Sequence, residues 1–102
     1  MPKDRKDLGL IFREILDSDN VYFQPPASVQ MKYPAIRYAR EKIENDFANN
    51  NPYIQTYRYQ VIVIDKNPDS EIVKAVSQLP GCQHKSHYVS DNLNHDVFTI
   101  YF

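Results

Sequence analysis

Apolar residues recur along this chain first at helical and then at strand spacing. Leu8, Ile11, Phe12, Ile15 and Leu16 fall at i, i+3, i+4, i+7 and i+8, which lines one face of a helix. The spacing predicts a helix over 4–17, with Asp4 as N-cap and the turn-forming Asp17-Ser18-Asp19-Asn20 as its end. Gly9 within it either costs about 1 kcal/mol relative to Ala or allows a neighbour to approach closely. Val21-Tyr22-Phe23 reads as a short strand, cut off by the stiff Pro25-Pro26. A second strand follows Pro34, where Ile36 and Tyr38 alternate with Arg37. Residues 41–52 carry conflicting signals. Ile43 and Phe47 are one helical turn apart, whereas Asn49-Asn50-Asn51-Pro52 is a loop signal. The segment is expected to be a long hairpin connection with room for a short helical turn.

Tyr53 to Asp65 is the longest strand pattern. Tyr57, Tyr59, Val61 and Val63 share one face; Arg58, Gln60, Ile62 and Ile64 share the other. Its second half is apolar on both faces, which predicts a central place in the sheet. Its Tyr-rich, polar first half is expected to project beyond the core. Asn67-Pro68 predicts the N-cap and first position of a second helix. Ile72, Val73, Val76 and Leu79 form its stripe, and Pro80-Gly81 ends it. A strand from about Cys82 to Val89, a turn at Asp91-Asn92-Leu93-Asn94 and a strand from His95 to Phe102 complete the chain. The fold class is therefore α+β, in the order α-β-β-β-α-β-β: a mainly antiparallel sheet with both helices on one face. Residues 1–102 are expected to form a single domain, with Phe12, Ile15, Val61, Val63, Val76, Phe98 and Ile100 in its core.

Composition adds limits rather than a function. Net charge is -1, and cations and carboxylates are interleaved, so neither a polyanion nor an anionic membrane finds a basic stripe. Two glycines leave little for a phosphate-cradling loop. MPKDRKDLGL lacks the apolar stretch of a signal peptide, and no apolar run approaches bilayer length. The single Cys cannot form an internal disulfide, consistent with synthesis in a reducing cytosol. Thirteen per cent of residues are aromatic, with 8 Tyr and no Trp. Tyr suits both sheet faces and protein interfaces, because it joins a large apolar body to a polar tip.

Candidate chemistry is sparse. Cys82, His84, His87 and His95 are the only soft-ligand cluster, and their spacing matches no zinc pattern. On a regular strand Cys82 and His84 share a face while His87 points away. A Cys–His pair completed by Asp91 or Asp96 lacks an activating turn or helix start. The carboxylate pairs Asp17/Asp19 and Asp65/Asp69 sit at predicted helix ends, where capping accounts for them. No catalytic, cofactor-binding or metal-binding residue is expected, and the chain is read as non-enzymatic. Arg37, Arg40, Lys42 and Arg58 beside Tyr38, Tyr57 and Tyr59 leave an alternative: a small sheet-based nucleic-acid-binding or regulatory domain, with aromatics stacking bases.

Three stretches then carry a likeness. They are Phe23-Gln24-Pro25-Pro26 with Met31-Lys32-Tyr33-Pro34-Ala35-Ile36; Arg58-Tyr59-Gln60-Val61-Ile62-Val63-Ile64-Asp65 running into Pro68-Asp69-Ser70; and Leu79-Pro80-Gly81-Cys82 with Asp91-Asn92-Leu93-Asn94-His95-Asp96-Val97-Phe98. Together they resemble small phage or prophage proteins of long-tailed phages, of the tail terminator or tail completion (head–tail joining) type. The likeness spans nearly the whole chain in length and element order, and its motifs are structural. It implies a ring, usually of six subunits, that caps the tail tube and joins it to the head. The implied partners are other copies of the chain, the tail tube protein and the head-completion protein, with DNA passing through unbound. The implied location is the virion's head–tail junction, after assembly in the host bacterial cytoplasm. No site residue is carried over from the family. From the residues themselves, Tyr53, Tyr57, Arg58 and Tyr59 are the subunit-interface candidates, with Arg58 expected to meet an acidic residue such as Glu41 or Glu44 across the interface.

Overall fold

A computed structural model of the chain describes residues 5–48 and 51–102, with side chains except at 46–48 and 51–54. Asp4, the expected N-cap, and Asn49-Asn50 of the loop signal lie outside the described residues. The order is α1 (Arg5–Leu16), β1 (Val21–Phe23), β2 (Ala35–Ala48), β3 (Asn51–Asp65), α2 (Glu71–Ser77), β4 (Cys82–Ser90) and β5 (Leu93–Tyr101). The strands form one sheet, β1-β2-β3-β5-β4. Every neighbouring pair is antiparallel except β1 and β2, which run parallel. The fold is the expected α+β arrangement, and β3, apolar on both faces over Val61–Ile64, is its central strand.

The core lies between one sheet face and the two helices. Leu8, Phe12 and Leu16 of α1 and Val76 of α2 meet Ile36, Tyr38, Tyr59, Val61, Val63, Phe98 and Ile100 of the strands. Ile15, expected there, is only partly buried at its margin. Gly9 serves a close approach: a Cβ on it would lie 2.7 Å from the Tyr38 hydroxyl, which donates to the Arg5 carbonyl at 2.9 Å.

Three elements depart from the sequence reading. Residues 41–48 continue β2 as strand rather than forming a connection with a helical turn, and they pair with β3 back to its first residue, Asn51. Inter-strand hydrogen bonds satisfy a polar backbone there without needing an apolar face. The second helix begins at Glu71, not at Pro68, and its N-cap is Ser70, whose hydroxyl accepts from the Ile72 amide. Asn67 instead closes a local turn, its side-chain oxygen accepting from the Asp69 amide at 2.9 Å. His87 does not point away from His84. A register shift between His84 and Ser86 inserts Lys85 as an extra residue, so His84 faces Phe98 and His87 faces Asp96, both on the helix side. The turn expected over Asp91–Asn94 is confined to Asp91-Asn92, because Leu93 and Asn94 already pair with β4 as the start of β5; both turn residues have positive φ, 54° and 63°, as a two-residue hairpin requires.

The β2–β3 hairpin sets the shape of the molecule, 51 × 24 × 23 Å. β3 pairs with β5 only from Arg58 onward. From Glu41 to Ala48 and from Asn51 to Thr56 the two strands pair with each other and, among the described residues, with no third strand, while the Tyr57 carbonyl still accepts from the Phe102 amide at 2.9 Å. About seven residues per strand at roughly 3.4 Å each carry this arm about 20 Å past the sheet.

Candidate functional site

The root of the arm gathers the interface candidates. Along the helix side of the sheet runs an aromatic series. Phe12 meets Tyr38 edge-on at 5.3 Å, Phe23 meets Tyr38 at 5.0 Å, Tyr38 lies 6.3 Å from Tyr59, and Tyr59 stacks on Tyr57 at 6.5 Å. The series leaves the core as it approaches the arm. Tyr38 and Tyr59 are 4% and 3% exposed, whereas Tyr57 is half-buried, opposite the exposed Ile43. Tyr59 is thus a core residue of its own chain rather than a surface for a neighbour: it belongs to the buried cluster with Leu8 and Phe12 of α1 and with Val61 and Ile100. Tyr57 remains at the boundary, and the Tyr53 side chain lies outside those described. The same burial removes Tyr38 and Tyr59 from any base-stacking platform.

Arg58 lies on the opposite face of the arm root. Its Nη1 is 3.4 Å from Glu44 Oε1 and its Nη2 3.6 Å from Glu41 Oε1. The carboxylates expected across an interface are therefore met within the chain. They come within reach because β2 slips register between Arg40 and Lys42, placing Glu41 in the bulge and Glu44 opposite Thr56. A hydrogen bond with Tyr101, then Glu41 and Glu44, holds the guanidinium above its usual pKa against a partial loss from burial.

The soft ligands sit at the other end of the sheet. His84 Nε2 lies 3.1 Å from Asp96 Oδ1, and its ring meets Phe98 edge-on at 5.1 Å. His87 Nε2 contacts Asn94 Oδ1 at 3.1 Å, and His95 stacks on Tyr88 at 4.6 Å across the sheet's uncovered face. Each imidazole is thus engaged with a different partner. Among the described residues no three of His, Cys, Asp or Glu converge to hold a metal ion. Burial pushes the Cys82 thiol up to about 11, the reverse of what a nucleophile needs. A shallow apolar cavity of about 350 Å³ opens between α1, the turn before β4 and the end of β5. Leu8, Ile11, Leu79, Ile100 and Phe102 line it, and no carboxylate, imidazole or thiol does. Among the described residues no helix is long and apolar enough to cross a membrane.

Set against family models, curated proteins and solved structures, the chain matches none of them.

Proposed function

We propose that this chain is a non-enzymatic assembly protein that works through contact between subunits, a ring component of the tail terminator or tail completion type. The observation that carries the reading is the projecting arm. A two-stranded ribbon is at best marginally stable alone in water, yet fifteen residues of β3 and fourteen of β2 are spent on a hairpin about half of which, among the described residues, pairs with no third strand. Such a ribbon is worth its ordering entropy when a neighbour covers it. The half-buried Tyr57 and exposed Ile43 at its root give that neighbour an apolar foothold. The resemblance supplies the setting: a ring on the phage tail, meeting the tube protein on one side and the head-completion protein on the other. The alternative of a nucleic-acid-binding domain is weaker, because Tyr38 and Tyr59 are buried and only Tyr57 of its three tyrosines reaches the surface.

The test is mass in solution across concentration, with negative-stain imaging of the larger species. The expected result is a shift from the 12.0 kDa subunit to one discrete multiple, visible as closed rings. A chain that stays monomeric from micromolar to millimolar concentration is not a ring component.

A further inference from the structure

Among the described residues no strand lies beyond β4, Cys82–Ser90, at one side of the sheet. Every residue from Gln83 to Ser90 is exposed, including Tyr88 at 46% and Val89 at 62%. A bare edge presents a row of unpaired amides and carbonyls, which soluble proteins blunt with charge, proline or a bulge. Here the bulge at Lys85 interrupts only the first part of the strand. Ser86-His87-Tyr88-Val89-Ser90 keeps regular register with β5 and contains no formally charged residue and no proline. Ser90 and Leu93 flank the two-residue turn and share its hydrogen bond. Alternation along the ladder then turns the backbone groups of Ser86, Tyr88 and Ser90 toward β5 and those of His87 and Val89 outward.

We infer that this edge pairs with the same edge of a second copy, antiparallel about a twofold axis through Tyr88, joining two five-stranded sheets into one. The sequence is self-complementary about that residue. Laid antiparallel on itself, the stretch from Lys85 to Asp91 sets Lys85 opposite Asp91, Ser86 opposite Ser90, His87 opposite Val89 and Tyr88 opposite its own copy. The hydrogen-bonding phase agrees. The outward-facing His87 and Val89 meet as bonded pairs, while Tyr88 meets Tyr88 at a non-bonded position, where side chains come closer. Tyr88 already stacks on His95 at 4.6 Å on the sheet's uncovered face, so its ring has less freedom to lose on pairing. Lys85 and Asp91, both exposed, give an opposite-charge pair at each end of the ladder, and sliding the register by two residues either way separates them. A twofold contact uses one surface twice and closes at two copies. It involves no residue of the arm and goes beyond the assembly reading rather than resting on it. So short a ladder covers little surface, so the isolated pair fills only at high concentration.

Disulfide trapping on the full chain tests this. In a Cys82→Ser background, which has no other thiol, Tyr88→Cys, Ser86→Cys and Ser90→Cys are made singly, and each protein is oxidised in glutathione buffer at the same concentration. Tyr88→Cys should lock into a covalent dimer, because the Cα atoms of a non-bonded antiparallel pair lie about 4.5 Å apart, within disulfide reach. Ser86→Cys and Ser90→Cys should each dimerise slowly, because each lies about 13 Å along the strand from its own copy. An equimolar mixture of these two, one carrying a mass tag, keeps Tyr88 and should give the mixed dimer roughly tenfold or more faster than either gives its own. The mixture decides, since it does not depend on losing a tyrosine. Equal rates for the mixture and its components would reflect random collision and overturn the pairing, leaving the edge to a strand of another protein or to none. Ring formation is read separately, from the mass and images of the wild type. Rings without specific trapping would sink the pairing and spare the assembly reading; specific trapping without rings would do the reverse.

Discussion

Cys82 shows how burial decides what a reactive residue type does. It faces the core from the first position of β4, packed against the buried cluster. There the charged thiolate loses its water, which lifts the thiol from its usual value near 9 to about 11. Between those values the folded chain keeps a proton that the unfolded chain releases. The contribution is therefore fully present below about pH 9 and is lost as pH rises through about 11. Cys82→Ser should remove this part of the alkaline fall in Tm. Alkylation of the native wild type at pH 8 should run roughly tenfold or more slower than in urea, because so little thiolate is present. Equal rates in both states would show an accessible, unperturbed thiol. The same reasoning separates Tyr57 from Tyr59. In the sequence they are two tyrosines on one strand face; in the fold one lies under helix α1's side of the sheet and the other at its margin.

At the scale of elements, turns are fixed more tightly than strand ends. Gly81 closes the connection from α2 into β4 at φ 76°, and a Cβ there would stand 2.8 Å from the Tyr101 carbonyl oxygen. Gly81→Ala meets both the left-handed penalty and a backbone contact that cannot rotate aside. It should cost at least about 1–2 kcal/mol, read as a lower urea midpoint with unchanged slope. A neutral result would mean that this connection adopts another conformation. Pro80-Gly81 and Asp91-Asn92 were legible in the sequence because such turns demand particular residues. So was β3, whose Val61–Ile64 stretch is buried on both faces. Residues 41–48 were not legible, because a two-stranded ribbon needs no apolar face to satisfy its backbone and so imposes no alternation, and the Ile43–Phe47 spacing then mimics a helix. The Lys85 bulge was equally silent: an inserted residue changes every face assignment after it without changing composition, which is why regular strand spacing puts His87 on the wrong side. The parallel β1–β2 pairing depends on contacts distant in sequence, which short-range periodicity does not encode. The interface candidates split for a related reason: Tyr patterning marks a sheet face but not where that face leaves its cover.

The whole molecule divides into a body that folds through its own contacts and an arm that does not serve them. Among the described residues the buried hydrophobic core belongs to α1, α2, Val21 of β1, Ala35 to Tyr38 of β2, Tyr59 to Ile64 of β3 and Phe98 to Ile100 of β5. Beyond the Ile43–Tyr57 pair the hairpin adds ladder hydrogen bonds between two strands that pair with no third strand among the described residues, and the net worth of such bonds is small against the entropy of ordering them. Glu44 and Thr56 face each other across β2 and β3, so a two-residue Asn-Gly turn can join them in place of residues 45–55. This shortened chain keeps Arg58 with both its carboxylates and keeps Tyr57 on Tyr59. It should therefore retain the circular dichroism of the sheet and helices, with a Tm within a few degrees of wild type. If the arm exists for a neighbour, the shortened chain should remain at subunit mass at concentrations where the wild type forms its discrete multiple. If the shortened chain unfolds, the arm contributes to the body through contacts of its own. If it assembles as well as wild type, the ring is built from other surfaces and the arm is free to serve the tube or the head. The two failures differ in one measurement, since the first lowers Tm and the second leaves both Tm and mass where they were.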